Sequence, residues 1–179
     1  MTRVQLIMTL CLASLACAQE KSGPPVGQPL PPLKVFDATG PNIGKELDYG
    51  QEYKNAPTFI IIFNHFERPP ARFMKKFDDW AKTDEGKGLK TLAVFMTDDI
   101  DMWKDRLPKV QMSLKLETFP LVIYLGPKEG PKEYQLSDRV DVTVILAKDG
   151  KVVEAKGIVS CNDTDVPEFV NAAKKLLGK

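Results

Sequence analysis

Ionisable side chains cluster in one short turn, which lies between an apolar stretch and an amphipathic one. His65 and Glu67 stand two residues apart, as a base and an orienting carboxylate would, but no serine or cysteine adjoins them as a nucleophile. Arg68 and Arg72 are four residues apart near a predicted helix start, so they could converge on one anion or form ordinary salt bridges. Three interpretations of this turn therefore remain open: a weak acid–base centre, an anion-binding site, or a polar segment in contact with solvent.

Cysteine is the other residue type that could do chemistry here. Of Cys11, Cys17 and Cys161, only Cys161 lies beyond the first 18 residues, so the rest of the chain has no partner for an internal disulfide. A lone thiol is either buried and inert or reactive. The start of the last predicted helix could favour the thiolate of Cys161, whereas Asp163 and Asp165 would oppose a second negative charge. Cys161 is thus a further candidate catalytic residue, with burial as the alternative.

Composition excludes several classes of function. The net charge is +1 and falls to zero without the first 18 residues, which disfavours a nucleic-acid partner. The chain has a single histidine and no recognisable ligand loop, so we expect no metal site and no cofactor. Asp98, Asp99 and Asp101 are better explained by capping of the helix that follows and by solvation. With 179 residues, 43% of them hydrophobic, the chain can form one globular domain without disulfides or metals.

Two neighbouring elements must hold the turn in place. The apolar run at 57–64 predicts a strand that is buried on both faces. Phe73, Phe77 and Trp80 recur at spacings of four and three residues, which predicts an amphipathic helix over 69–82. The paired prolines suit the first turn of that helix, where backbone donors lack partners.

The remaining elements alternate along the chain. They are a strand and turn at 33–40, a connector at 48–55, a buried strand at 89–96, a helix at 97–107, a strand at 119–125, a hairpin at 140–160 and a helix at 164–179. The "KDGK" sequence is a strong hairpin signal, and each strand-helix-strand unit implies parallel pairing with a right-handed crossover. We therefore predict an α/β fold with one mixed central sheet flanked by helices.

The first residues predict an export signal. Arg3 precedes a short apolar region, and Ala16-Cys17-Ala18 provides a small-residue cleavage site ahead of Gln19. The "SLAC" sequence also resembles a degraded bacterial lipoprotein box, in which Cys17 would carry the lipid. We predict a periplasmic or secreted protein, with a membrane-anchored lipoprotein as the alternative.

The predicted domain organisation has three parts. Residues 1–18 form the signal peptide, 19–32 a proline-rich linker and 33–179 the folded domain. The proline density of the linker favours an extended, semi-rigid tether.

Two further motifs resemble a known group of proteins. "VGQPLPPLKVFDATG" is similar to the first strand of the peroxiredoxin and exported thioredoxin-like reductase group, and "TVILAKDGKVVEAKG" resembles its closing hairpin. The resemblance covers residues 27–179 and implies a thioredoxin-like fold. In the reductases, the first helix opens with Cys-Pro-Pro-Cys-Arg. The matching residues here are "RPPAR", with Arg68 and Ala71 in place of the two cysteines.

The same resemblance indicates what else this chain lacks. The turn at 64–67 contains no peroxiredoxin-type cysteine, and Val142 stands where the group usually has a proline that helps to hold the substrate. The thioredoxin-like layout also places Cys161 on the same side of the sheet as His65 and Arg68.

Three classes of function follow from these observations. The favoured one is an exported, redox-inactive thioredoxin-like module that binds an unidentified protein partner or has a structural role, so the sequence leans against an enzyme. The alternatives are a thiol-dependent redox enzyme acting through Cys161 and a small-anion-binding protein using Arg68 and Arg72.

Overall fold

A computed structural model describes residues 20–179, in which seven strands form one sheet and four α-helices pack around it. The strands are β1 (Lys34–Asp37), β2 (Glu46–Asp48), β3 (Thr58–Phe63), β4 (Lys90–Phe95), β5 (Leu121–Tyr124), β6 (Val142–Lys148) and β7 (Lys151–Ile158). The helices are α1 (Tyr49–Tyr53), α2 (Arg68–Ala81), α3 (Ile100–Leu114) and α4 (Val166–Leu177). The predicted signal peptide, with Cys11 and Cys17, lies outside the described residues. Within 20–179, no helix is long and apolar enough to cross a membrane.

The sheet is mixed and has the strand order β2-β1-β5-β4-β3-β6-β7. Strand β4 pairs in parallel with both β3 and β5, through crossovers that contain α2 and α3. Strand β6 pairs with β3 in the antiparallel direction, and β7 pairs with β6. These pairings confirm the predicted fold class, including the parallel strand-helix-strand units and the closing hairpin.

Strand β3 lies inside the sheet between β4 and β6, and all six of its side chains are buried. Phe59, Ile61 and Phe63 face the cluster that contains α2, α3 and α4, and the ring of Phe59 stacks on Phe77 of α2 with centroids 3.9 Å apart. Ile60, on the next pleat position, belongs to the cluster on the opposite face. A strand covered on both faces reads as a continuous apolar run, as the sequence predicted.

Helix α2 begins at Arg68, one residue before the predicted start. Glu67 is the N-cap residue of α2, but its side chain makes no capping hydrogen bond. Pro69 and Pro70 lie in the first turn, directly after Arg68. Near the other end, Asp78 is fully buried and accepts hydrogen bonds from the backbone N–H of Glu117 and from both the N–H and the hydroxyl of Thr118. Asp78 thereby fixes α2 against the segment that leads into β5.

The segment at 48–55 is more ordered than the predicted connector. It contains the end of β2 and the short helix α1, whose N-cap Asp48 accepts a hydrogen bond from the N–H of Gly50. The predicted hairpin turn is present as expected. Asp149 and Gly150 have φ angles of 52° and 69°, as a two-residue turn with left-handed positions requires.

The proline-rich segment, predicted as an extended, semi-rigid tether, packs against the sheet. The N–H of Gly27 donates to the carbonyl of Val152 at 2.8 Å, so this part of the segment lies along the outer edge of β7. Farther upstream, Ser22 is buried and its hydroxyl bonds that of Thr143 in β6 at 2.6 Å. Composition alone did not indicate this packing. The hydrogen-bond partners of the segment lie on the open edge of β7, which is far away in the sequence.

Candidate functional site

The turn between β3 and α2 is held to the segment that precedes β6. The backbone N–H groups of Asn64 and His65 both donate to the carbonyl of Asp141, at 3.0 and 3.3 Å. The side-chain amide of Asn64 donates to the carbonyls of Ser137 and Val140, at 2.8 and 3.1 Å. The turn is therefore fixed by contacts to residues more than 70 positions further along the chain.

A cleft of about 460 Å³ opens beside this turn. It is lined by Asn64, His65, Met96, Lys128, Glu129, Leu136, Ser137 and Asp138. The exposed imidazole of His65 borders the cleft, but Glu67 does not, and among the described residues no hydrogen bond joins this pair. The hydroxyl of Ser137 bonds the carboxylate of Glu20 at 3.0 Å rather than His65. The arrangement contains no nucleophile activated by His65.

Arg68 and Arg72, the predicted anion-binding pair, lie one turn apart at the start of α2. The side chains of Arg68 and Arg72 are exposed, and neither forms a salt bridge within residues 20–179. Arg72 lies close enough to Asp163 to help lower the pKa of that carboxyl, after the larger effect of its hydrogen bond with Lys76. Asp163 forms its salt bridge with Lys76, at 2.7 Å, and not with Arg72.

The two positions that the sequence resemblance matches to the dithiol have different environments. Arg68 is exposed at the first turn of α2, whereas Ala71 is 9% exposed and belongs to the packed part of the helix. An attacking thiol has to be accessible to its substrate, so Arg68 occupies the position from which such a group would act.

Cys161 lies at the end of the sheet that carries the His65 turn, but inside the core. It is 1% exposed, and its backbone N–H donates to the carboxylate of Asp141, whose carbonyl holds the turn. Burial raises the pKa of the Cys161 thiol well above its usual range, and the nearby Asp165 and Asp141 carboxylates raise it further. The expected stabilisation of a thiolate by the start of α4 is therefore not found, because desolvation and these two carboxylates oppose it.

Val142, which the sequence resemblance matches to a substrate-holding proline, belongs to an ordinary ladder pair. Val142 pairs with Phe63 of β3, and no peptide bond among residues 20–179 is cis. The following residue, Thr143, is fully buried, and its hydroxyl is occupied by Ser22. The Thr143 hydroxyl therefore already has a partner within the domain.

The acidic residues before α3 have the roles expected of capping and solvated side chains. Asp99 is the N-cap of α3 and accepts a hydrogen bond from a backbone N–H of its first turn. Asp98 forms a salt bridge with Lys128, and Asp101 forms one with Lys104. The three carboxylates therefore have separate partners.

Comparisons with known proteins show similarity in structure alone. No family model and no curated protein sequence matches the chain. A peroxiredoxin-like protein from Aquifex aeolicus superposes with a TM-score of 0.59 at 18% identity, over 88% of each chain. A putative protein disulfide isomerase from Bacteroides thetaiotaomicron gives 0.61 at 16% identity, over 89% of this chain and 96% of the other. Yeast Sco1 gives 0.55 at 15% identity, over 83% and 96%. At such identities the likeness shows a thioredoxin-like fold, as the sequence motifs implied.

Proposed function

We propose that this chain is an exported thioredoxin-like domain that binds a partner and carries out no thiol-disulfide chemistry. The observation that carries the proposal is the start of α2, where Pro69 and Pro70 retain the frame of a redox helix while Arg68 and Ala71 supply no sulfur. The helix remains well packed and its first turn remains accessible, so the fold still presents the surface on which related folds act.

The state of the remaining thiol supports the same conclusion. Thiol-disulfide exchange requires an accessible thiolate. Cys161 is buried and its pKa is raised, so it is a protonated core residue at neutral pH. A thiol enzyme acting through Cys161 would need the hairpin or the start of α4 to open, and the contacts around Asp141 oppose that opening.

The decisive assay is the reduction of insulin by dithiothreitol. We expect the wild-type domain to add nothing to the background rate, and turnover that survives Cys161→Ser would overturn the proposal. A double variant, Arg68→Cys with Ala71→Cys, provides a matched positive control. Residues three apart in a helix have Cα atoms about 5 Å apart, within the range of about 4.4–6.8 Å found in disulfides. This variant should form an internal disulfide and accelerate the reaction. Failure to do so would mean that these positions do not correspond to a dithiol site.

Export is tested separately from chemistry. Mass spectrometry of envelope and secreted fractions should find a mature terminus at Gln19, or a lipidated Cys17 if the chain is anchored. Exported protein that retains Met1 would contradict both forms of the proposal.

A further inference from the structure

A second concavity lies between α2 and α3, away from the cleft at His65. This α2–α3 groove is about 290 Å³ in volume and is lined by Phe66, Ala71, Arg106, Lys109, Val110, Ser113 and Leu114. The five residues from α3 stand at positions i, i+3, i+4, i+7 and i+8 of the helix, so they form a single face of it. The groove is a continuous surface feature built from two elements and the turn that precedes α2.

The floor of the groove is apolar and rigid. Phe66 packs edge-on against Phe63, Phe95 and Trp103, with ring centroids 5.0–6.0 Å apart. Val110 is half-buried and packs against the same core cluster. A floor held by this many aromatic contacts does not have to order itself when a ligand arrives, which lowers the entropic cost of binding.

The rim of the groove is cationic. Arg106 and Lys109 are exposed, and neither forms a salt bridge with any residue of 20–179. The guanidinium of Arg106 lies over the Trp103 ring, 4.6 Å from its centroid, and this contact restricts where the charge points. Asp105 is the nearest acid along α3 and is exposed, but it forms no salt bridge with Lys109 four residues later. The charges on the rim are therefore free to meet a ligand.

The geometry points to the α2–α3 groove as the docking site for an acidic peptide segment of a partner protein, with an apolar side chain in the groove and carboxylates on the rim. This inference rests on the proposed binding role and specifies the chemistry of the partner. Apolar contacts on the floor supply affinity, and the rim charges select for an acidic neighbour and against a basic one.

Other ligands fit the groove less well. A small inorganic anion would use the rim cations and leave the apolar floor in water. A bilayer is flat on this scale, so it could not reach the floor, which is recessed between two helices. A side chain on an extended peptide can enter the groove while its neighbours remain at the level of the rim.

The test is fluorescence anisotropy with the full domain and three short labelled peptides. The first has a central Leu-Phe pair flanked by glutamates, the second replaces each glutamate by glutamine, and the third keeps the glutamates but has Gly-Ser at the centre. We expect saturable binding of the first alone, weakened by salt. Binding of the second peptide as tight as the first, or no binding of any peptide, would overturn the inference.

Variants of the protein assign the binding to the groove. The double variant Arg106→Gln with Lys109→Gln removes the two ion pairs that these side chains would form with glutamates of the peptide. It should weaken peptide binding by about fivefold or more. Ser113→Trp should weaken it by filling the groove from an exposed position. Asp105→Asn should tighten binding, which damage to the fold would not do. A change of the same size in the control variant Lys87→Gln with Lys132→Gln, at exposed sites elsewhere, would refute the assignment.

Two further outcomes separate this inference from others. Stronger binding to vesicles of phosphatidylglycerol than to the first peptide, with the same dependence on Arg106 and Lys109, would replace the peptide by a membrane surface. Peptide binding that persists while the insulin assay shows redox turnover would overturn the proposed function but retain the groove as a docking site.

Discussion

Asn64 offers the most direct test of how the turn that carries His65 is held. Its side-chain amide is the donor of two hydrogen bonds, to the carbonyls of Ser137 and Val140. Replacement by alanine removes both bonds and leaves two partly buried acceptors without this partner. Each such bond contributes about 0.5–1.5 kcal/mol, so the loss in unfolding free energy should be about 1–3 kcal/mol.

Asn64→Asp should cost more than Asn64→Ala at neutral pH. An ionised carboxylate has the shape of the amide but no donor, so it would face two carbonyl oxygens and be repelled by both. Folding then disfavours the charged form, which raises the pKa of the introduced carboxyl above its value in the unfolded chain, about 3.9. The variant should therefore be least destabilised below about pH 4 and should lose stability as the pH rises above that value.

Urea unfolding, followed by the fluorescence of the two tryptophans, measures these free energies. Asn171→Ala and Asn171→Asp make the same changes at an exposed position of α4 and should shift the unfolding free energy by less than about 0.5 kcal/mol. If Asn64→Ala behaves like the α4 control, or if Asn64→Asp is no worse than Asn64→Ala at pH 7, the contacts described for this turn do not hold it.

Three other expectations concern buried and exposed charges. Because burial raises the pKa of Cys161, iodoacetamide should label this thiol only in the unfolded protein, and native labelling at the rate of a model thiol would contradict this. Above about pH 9 the unfolded thiol releases its proton while the folded one keeps it. The unfolding free energy of the wild type should therefore fall by up to about 1.4 kcal/mol per pH unit relative to that of Cys161→Ala. Asp37 is fully buried and accepts four hydrogen bonds, one of them from Tyr49. Asp37→Ala should therefore lower the free energy of unfolding in urea by about 3–5 kcal/mol. The control Asp84→Ala, at an exposed position, should lower it by less than about 0.5 kcal/mol. If Arg68 and Arg72 bind an anion, millimolar phosphate or sulfate should raise the melting temperature relative to chloride at equal ionic strength, and an unchanged temperature would leave them as ordinary surface cations.

The sequence predicted the elements whose pattern is local. The run at 57–64 became β3 because burial on both faces leaves no polar alternation, and the "KDGK" turn formed because Asp149 and Gly150 adopt left-handed conformations that few other residues allow. The paired prolines located the start of α2 to within one residue, since proline fits the first turn and few positions beyond it.

Other features depend on residues that are far apart in the chain, which no local pattern reveals. The signal for the turn at 64–67 was visible, but its partners were not: Ser137 precedes the predicted hairpin and Asp141 lies at its start, and nothing local links either residue to the turn. The segment at 19–32 was predicted as a tether from its prolines, whereas the N–H of Gly27 donates to Val152 of β7 and the N–H of Leu30 donates to Gly150 of the hairpin turn. The charge of Asp165 was correctly weighed against a thiolate at Cys161, whereas Asp163 pairs with Lys76 and has no such effect. The effect of Asp141 and the larger effect of desolvation required the structure.

The position of Glu20, where the described part of the chain begins, decides which side of the domain a lipid or fusion on its N-terminal side would cover. Glu20 bonds Ser137, which lines the cleft beside His65. Cys17 is three residues upstream of Glu20, a reach of at most about 11 Å of extended chain. If Cys17 carries a lipid, as the proposed anchored form requires, the bilayer would lie near the mouth of the cleft, and a bulky fusion placed directly before Glu20 would crowd it. A solid support linked through the exposed C-terminal Lys179 would keep the cleft open, so capture experiments should immobilise the protein by that end.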